Sequence, residues 1–169
     1  MKLDISLITP TYNEQKNINI ITKNINLLNP KEAIIVDGNS TDNTRKLLKN
    51  LEIIKTKASR GTQLKKGAKH SKQEWLFFIH ADTKLNLENI KEIKFFINKE
   101  NTHKVGFFHL KFNNSSIFAY FISKWANFRS KVFNMPFGDQ CLLINRLYYE
   151  SIGGYEEIDK MEDMEIMLK

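Results

Sequence analysis

Short apolar runs alternate with amphipathic stretches through the first hundred residues of the chain. Residues 33–36 and 75–79 are apolar without interruption, which predicts strands buried on both faces, as in a helix-covered parallel sheet. Between such runs, apolar residues recur every three or four positions, which predicts helices with one buried stripe. The predicted strands are residues 5–9, 33–36, 53–54 and 75–79, and the predicted helices open near Asn13, Asp42, Ser59 and Asn86. This repeated order of strand and helix indicates an α/β fold with a mostly parallel central sheet flanked by helices.

The pattern changes after about residue 102, and local breakers mark several boundaries. Pro10 is expected to stop the first strand, because proline cannot donate to a sheet ladder. Asn29 and Pro30 are expected to end the first helix. The later predicted elements are a strand over residues 105–112, a helix over 117–132, a turn over 136–140, a strand over 141–144, a short helix over 146–151 closed by Gly153 and Gly154, and a last helix opening at 161–163.

Composition sets the broad class of the protein. A chain of 169 residues with 41% hydrophobic residues fits one soluble globular domain. No apolar run reaches the length of about 18 residues that a membrane-spanning helix needs. The single Cys141 excludes an internal disulfide and fits a reducing cytosol, so we expect a cytoplasmic protein. Its apolar neighbours favour a buried, inert thiol over a nucleophile.

A formal net charge of +7 raises the question of nucleic-acid binding. The lysines are spread along the predicted helices rather than clustered, which argues against a nucleic-acid partner. A mild positive electrostatic field is better suited to a phosphate-bearing ligand or a membrane surface.

Acidic residues follow three of the four predicted strands. The first strand leads into Thr9 to Glu14, the second into Asp37, and the fourth into His80 and Asp82. Because parallel strands end at one edge of a sheet, these side chains are expected to meet there, and crowded carboxylates need a cation or a donor ligand. Each acid taken alone is also consistent with loop or capping chemistry. The first turn lacks a glycine-rich fingerprint, which argues against a dinucleotide-binding fold.

Four ordered motifs resemble those of family 2 glycosyltransferases with the GT-A fold. They are Ile8-Thr9-Pro10-Thr11-Tyr12-Asn13-Glu14, Ile35-Val36-Asp37-Gly38-Asn39-Ser40-Thr41-Asp42, His80-Ala81-Asp82 and Glu162-Asp163. Two further motifs, Arg60-Gly61-x-Gln63 and Phe137-Gly138-Asp139-Gln140, resemble a small bacterial subgroup of arsenosugar-biosynthesis-type glycosyltransferases. The resemblance implies one domain, with a nucleotide-binding half over about residues 1–100 and an acceptor half over about 101–169. Relatives usually continue further, which leaves a fragment, a short variant and a protein with a partner as alternatives.

The resemblance assigns the donor side of the site. It implies contacts to the base, ribose or phosphates of the donor from Thr9, Tyr12, Glu14, Asp37, Arg60 and Ala81. Asp82 takes the place of the last acid of the family's Asp-x-Asp metal motif and would hold Mn²⁺ or Mg²⁺. His80 stands where the first Asp of that motif often lies. An imidazole there suits Mn²⁺ better than Mg²⁺, and a supporting role beside Asp82 is the alternative.

The acceptor side follows from the same resemblance. Asp163 would be the general base, since a carboxylate opposite the leaving group can deprotonate the attacking hydroxyl. The alternative is that Glu162 and Asp163 only favour the positive end of a helix. The residues expected near the sugar or acceptor are Asp139, Gln140, Glu162 and Arg129. The aromatic segment 117–137 is either core, an acceptor wall or a surface that rests on a membrane.

These assignments predict a metal-assisted, inverting glycosyltransferase. It would move a sugar from a nucleotide-diphosphate donor, a UDP-sugar above all, to a hydroxyl of a small-molecule or lipid-linked acceptor. The inner face of the membrane is a second option for its location. A catalytically silent nucleotide-sugar-binding or scaffold protein and a sugar nucleotidyltransferase are the alternatives.

Overall fold

A computed structural model gives the structure, which describes residues 2–99, 101–108, 141–158 and 161–169. The strands are β1 Leu3–Thr11, β2 Pro30–Asp37, β3 Glu52–Lys55, β4 Trp75–Phe78, β5 Val105–Gly106 and β6 Leu142–Asn145. The helices are α1 Ile18–Leu28, α2 Thr44–Leu47, α3 Arg60–His70, α4 Leu87–Asn98, α5 Arg146–Ser151 and α6 Glu162–Met167, with a 3-10 turn at Gln15–Asn17. Within these described ranges no helix is both long and apolar enough to cross a membrane.

The strands form one six-stranded sheet in the order β3-β2-β1-β4-β6-β5. The first four strands are parallel to one another, which confirms the predicted parallel sheet. β6 runs antiparallel to β4, and β5 runs antiparallel to β6. The sheet is therefore mostly parallel, and its antiparallel edge comes from the part of the chain where the sequence pattern changes.

The prediction that Pro10 ends the first strand is wrong. β1 continues through Pro10 to Thr11, which pairs with Asp37 at the end of β2. The pairing of β1 with β4 ends at Ile8, opposite Phe78. Pro10 therefore lies where β1 no longer has β4 beside it, and its missing N–H group costs no ladder bond on that side.

The sheet is covered by apolar side chains on both faces, as the uninterrupted runs predict. Every residue of β4 from Trp75 to Phe78 is buried. One face packs α3 against β1 and β2, and Gly67 makes that contact close. A Cβ atom at Gly67 would lie 2.4 Å from Cγ2 of Ile8, so only glycine permits α3 to approach the sheet this closely.

The loops after β1 and β2 replace parts of the predicted first and second helices. α1 begins at Ile18 rather than near Asn13, and α2 is four residues long. Leu47, the last residue of α2, is 55% exposed. The physical reason is that residues 13–15 and 40–44 bond to each other instead of extending the helices.

The remaining boundaries follow the predictions closely. Asn29 adopts φ 50° and closes α1, and Asn86 caps α4 through a reciprocal bond with Asn89. The short helix α5 is followed by Gly153 and Gly154, both with positive φ. Of the predicted strand over 105–112, β5 is the described part; residues 109–112, the predicted helix 117–132 and the predicted turn 136–140 lie outside the described residues.

Candidate active site

The Asp37 carboxylate organises the carboxyl ends of β1 and β2. Its Oδ1 accepts from the Ser40 backbone N–H at 2.8 Å, and its Oδ2 accepts from the Ser40 hydroxyl at 2.5 Å. The Thr11 hydroxyl also donates to Oδ2, at 3.1 Å. Arg45 lies with its Nε 3.6 Å from Oδ1. Because Asp37 is fully buried, this set of partners offsets the cost of burying its carboxyl group.

Reciprocal hydrogen bonds join the loop after β1 to the loop after β2. Asn13 adopts φ 57°, and its Oδ1 accepts from the Thr41 N–H at 2.8 Å. Three successive backbone N–H groups then donate in the other direction. They are Asn13 N to Ser40 Oγ (2.9 Å), Glu14 N to Thr44 Oγ1 (2.8 Å) and Gln15 N to Asp42 Oδ2 (3.1 Å). The two loops thus form one bonded unit, which we call the loop platform (residues 11–15 and 37–44).

The predicted donor-binding residues fall at two depths in this platform. Tyr12 is 52% exposed, and Glu14 is half-buried, with its Oε2 accepting from Asn17 at 2.6 Å. Thr9 is buried within β1 opposite Ile35. Tyr12 and Glu14 are therefore reachable from solvent, whereas Thr9 and Asp37 lie beneath the surface. The contacts of all four residues with a donor stay predictions.

Gln63 holds the ends of β1 and β2 together from α3. Its side-chain amide donates to the carbonyl of Thr11 at 2.9 Å and to the carbonyl of Val36 at 2.7 Å. The side chain is buried, so each bond satisfies an acceptor that water does not reach. The sequence showed Gln63 only as part of a motif; this structural role in the site was missed.

Gly61 and Arg60 connect α3 to the acidic C-terminal segment. A Cβ atom at Gly61 would lie 2.3 Å from the carbonyl oxygen of Glu156 and 2.7 Å from that of Ile158. Only glycine therefore lets this segment lie against the start of α3. Next to it, Arg60 Nε lies 3.4 Å from Oε1 of Glu162, and the Arg60 side chain is 48% exposed.

The predicted metal-binding residues, His80 and Asp82, follow β4 in the chain. His80 is half-buried, Asp82 is exposed, and the Ala81 methyl group packs in an apolar cluster with Ile21 and Ile35. Among the described residues, no group of three or more His, Cys, Asp or Glu side chains could hold a metal ion. Asp82 and His80 fit a partial shell, since a cation that carries phosphates takes one or two carboxylates and completes its shell with substrate oxygens and water.

Asp163 opens α6 beside a buried acid. Glu162 is 3% exposed, and its Oε1 has no hydrogen-bond partner in the part of the chain that the structure describes. Burial, followed by the charge of Glu162, raises the pKa of Asp163 to about 6. The Arg60 guanidinium and a hydrogen bond from the Tyr155 hydroxyl act in the opposite direction. The structure places Glu162 against Arg60, and its predicted contact with an acceptor stays a prediction.

Tyr155 is the partner of Asp163 that sequence reasoning missed. Its hydroxyl donates to Oδ1 of Asp163 at 3.2 Å. The Gly153-Gly154 turn sets its position: Gly154 has φ 62°, and a Cβ atom there would lie 2.5 Å from the Tyr149 ring. The signal was present in the sequence, because an aromatic residue directly after two glycines is fixed by the turn and precedes the acid pair by only a few positions.

His80, Tyr155 and Asp163 line one narrow pocket, together with Cys141 and apolar side chains. The structure therefore brings Asp163, the predicted base, and His80, a predicted metal ligand, to the same pocket. It links Arg60 to Glu162 but places Tyr12, Glu14 and Asp37 in the loop platform. The predicted acceptor residues Asp139, Gln140 and Arg129 lie outside the described residues.

Solved structures superimpose on this chain over almost its whole length. Residues 1–349 of S. aureus TarS superimpose with a TM-score of 0.77 and 21% identity, over 99% of this chain and 54% of that chain. The Pyrobaculum calidifontis mannosyltransferase PcManGT, in complex with GDP-Man and Mn²⁺, matches with a TM-score of 0.71 and 19% identity, over 97% and 50%. This chain thus spans about half the length of these neighbours. At such low identity the match shows the fold, which is GT-A, as the motifs predicted.

Sequence comparison identifies the family. A UDP-N-acetylglucosamine–dolichyl-phosphate N-acetylglucosaminyltransferase of Methanococcus voltae is 48% identical over 48 residues, which are 28% of this chain and 19% of that protein. The narrower resemblance to arsenosugar-type enzymes is not confirmed by these matches. The family model of glycosyl transferase family 2 matches residues 6–146, and the chain therefore belongs to glycosyl transferase family 2.

Proposed function

We propose that this protein transfers a sugar from a nucleotide-diphosphate donor to an acceptor hydroxyl with inversion at the anomeric carbon. The observation that carries the proposal is the pocket shared by Asp163 and His80. It lies beyond the carboxyl end of β4, which is where open α/β sheets bind ligands. A carboxyl group with a pKa of about 6 in that pocket is suited to act as a base near neutral pH.

The donor side of the proposal rests on the loop platform and the start of α3. Tyr12 offers an exposed ring for the base, and Glu14 an acid for the ribose. Arg60 is half-exposed, so its guanidinium has open donors for a phosphate in addition to its contact with Glu162. Solved structures of TarS in complex with UDP-GlcNAc and of PcManGT with GDP-Man support a nucleotide-sugar donor, and we propose a UDP-sugar.

Asp82, with His80 beside it, would hold Mn²⁺ or Mg²⁺. When bound, such an ion neutralises the charge that develops on the leaving diphosphate. The presence of Mn²⁺ in the PcManGT complex supports this use. The exposed carboxylate of Asp82 leaves room for substrate oxygens in the remaining coordination positions.

Asp163 would act as the general base in one displacement step. The acceptor oxygen attacks the anomeric carbon, its proton passes to an Asp163 oxygen, and the bond from that carbon to the diphosphate breaks. The diphosphate leaves with the electron pair. Attack and departure on opposite faces, with no covalent enzyme intermediate, give inversion.

The acceptor is proposed to be a hydroxyl on a small molecule or on a lipid-linked carrier. The Methanococcus relative is named for a dolichyl-phosphate acceptor, and a net charge of +7 suits an anionic carrier or membrane surface. Asp139, Gln140 and Arg129 are proposed to serve this acceptor.

A thermal-shift screen of UDP-, GDP-, CDP- and dTDP-sugars, with Mn²⁺ or with EDTA, tests the donor site. We expect one nucleotide class to raise the midpoint with Mn²⁺, and EDTA or Asp82→Ala to abolish that rise. Asp4→Ala is the matched control. Asp4 is also an exposed carboxylate, but it pairs with Lys31 near the amino end of β1, at the other end of the sheet from Asp82. Donor binding that is indifferent to both EDTA and Asp82→Ala would refute the metal role.

Release of nucleoside diphosphate tests the chemistry. We expect turnover by the wild-type protein and donor binding without turnover by Asp163→Asn. If the wild-type protein binds donor but releases no diphosphate, and Asp163→Asn behaves identically, the protein is a silent nucleotide-sugar-binding protein instead.

A further inference from the structure

Tyr155 touches both the strand that leads to the predicted metal residues and the predicted base. Its ring is 1% exposed and packs edge-on against Phe78 of β4, with centroids 5.1 Å apart at 83°. Its hydroxyl donates to Oδ1 of Asp163 at 3.2 Å. Burial raises the pKa of Tyr155 well above its ordinary value, so the hydroxyl keeps its proton and acts as a donor across the physiological range.

The backbone around Tyr155 leaves its ring little freedom. The Tyr155 N–H donates to the Tyr149 hydroxyl at 3.0 Å, and the Tyr149 ring lies against Gly154. Tyr149 also packs on Phe78, at 5.7 Å between centroids. The Tyr155 hydroxyl is therefore held in place by its own backbone and by β4.

We infer that Tyr155 is a positioning residue for Asp163, a role that rests on the proposed function. By holding Oδ1, the hydroxyl fixes the orientation of the Asp163 carboxyl group in the pocket. The bond favours the ionised carboxylate, because a carboxylate accepts more strongly than a carboxylic acid. Since the ring is anchored on β4, the base is tied to the strand that ends at His80 and Asp82.

Other charged groups also face Asp163 and are part of the expectation. Glu162 adjoins it on α6, the Arg60 guanidinium lies beyond Glu162, and His80 lines the same pocket from the end of β4. None of these is altered by removing the Tyr155 hydroxyl. A Tyr155→Phe variant therefore removes the hydrogen bond to Oδ1 of Asp163 and keeps the packing of the ring on Phe78.

Tyr148→Phe is the matched control for Tyr155→Phe. Tyr148 is a half-buried residue of α5 whose ring packs edge-on against His103, with centroids 6.0 Å apart at 77°, so this change leaves in place the Tyr149 hydroxyl that anchors Tyr155. We expect Tyr155→Phe to lower kcat by roughly ten- to a hundredfold, the size that misplacement of a reacting group produces, with donor KM unchanged within about twofold. The acidic limb of its pH–rate profile moves to higher pH. Tyr148→Phe is expected to leave that limb in place.

An NMR titration of the isotopically labelled Asp163 carboxyl, assigned with Asp163→Asn, gives a readout that needs no turnover. We expect the Asp163 pKa to rise in Tyr155→Phe and to stay unchanged in Tyr148→Phe. If the wild-type protein shows no transfer, the proposed function fails, and the titration alone decides whether Tyr155 controls the carboxyl. The inference is overturned if the two variants give the same pH profile and the same Asp163 titration.

Discussion

Replacing Gln63 tests whether α3 holds the edge of the sheet where the site lies. The buried Gln63 amide donates to the carbonyls of Thr11 and Val36. Methionine has nearly the same length and volume but no donor. Gln63→Met therefore removes both hydrogen bonds while leaving the packing of α3 close to its original state.

The size of the effect follows from these two bonds. A net contribution of about 0.5 to 1.5 kcal/mol for each bond gives a loss of roughly 1 to 3 kcal/mol in the free energy of unfolding. The Thr11 carbonyl keeps a second donor, the Gly38 N–H at 2.8 Å, so we expect the middle of that range. Donor binding should weaken as well, because the Thr11 hydroxyl bonds to Asp37 in the loop platform.

Urea unfolding followed by circular dichroism measures this loss. Lys66→Met is the control, since Lys66 is an exposed residue of the same helix, and it should change stability by less than about 0.5 kcal/mol. Gln63→Glu should be more damaging at pH 8 than at pH 5, because an ionised carboxylate cannot donate to a carbonyl. A Gln63→Met protein as stable as wild type, with unchanged donor affinity, would refute this account of α3.

Three further changes test other parts of the fold. Gly67→Ala should gain about 1 kcal/mol of helix propensity but lose about 1 to 3 kcal/mol to the contact of 2.4 Å with Ile8; a net rise in stability in urea would contradict the close packing. Asp163→Asn should raise the thermal midpoint at pH 7. Because the pKa of Asp163 is about 6 in the folded protein and lower in the unfolded chain, the wild-type protein loses stability as the pH rises through 6. The stability gained by the variant should therefore be absent at pH 4 and grow up to pH 7. Arg146→Met should lower the free energy of unfolding by about 1.5 to 3 kcal/mol, since its guanidinium donates to the Gln73 carbonyl at 2.6 and 2.8 Å, with donor binding retained; loss of binding at full stability would show that this arginine acts elsewhere.

The parallel half of the fold could be predicted because its signals are local. An uninterrupted apolar run such as residues 75–79 is compatible with few architectures other than a parallel sheet with helices on both faces. Asn29 and Asn86 mark helix ends by their own backbone and side-chain chemistry. The exception, Pro10, shows the limit of a local rule: whether proline breaks a strand depends on which neighbour lies beside it at that position.

The relation between distant parts of the site could not be predicted in the same way. Asp163 was recognised by its motif, but its raised pKa depends on burial and on the charge of Glu162, and Arg60 from another helix and the Tyr155 hydroxyl act against that rise. No pattern in the sequence states that Gly61 lies under the carbonyls of Glu156 and Ile158. The antiparallel direction of β6 was also not encoded in its apolar run, since burial on both faces is the same for either direction.

The start of α3 is the element that joins the two halves of the candidate site. Through Gln63 it holds the ends of β1 and β2 beneath the loop platform. Through Gly61 and Arg60 it receives the segment that carries the acid pair. The spacing of Arg60-Gly61-x-Gln63 follows from this geometry. Gly61 leaves room for the carbonyls of Glu156 and Ile158, and Arg60 extends to Glu162. Gln63 points toward the ends of β1 and β2. A disturbance at the start of α3 should therefore weaken donor binding and displace the base together, whereas damage at Tyr155 should affect the base alone.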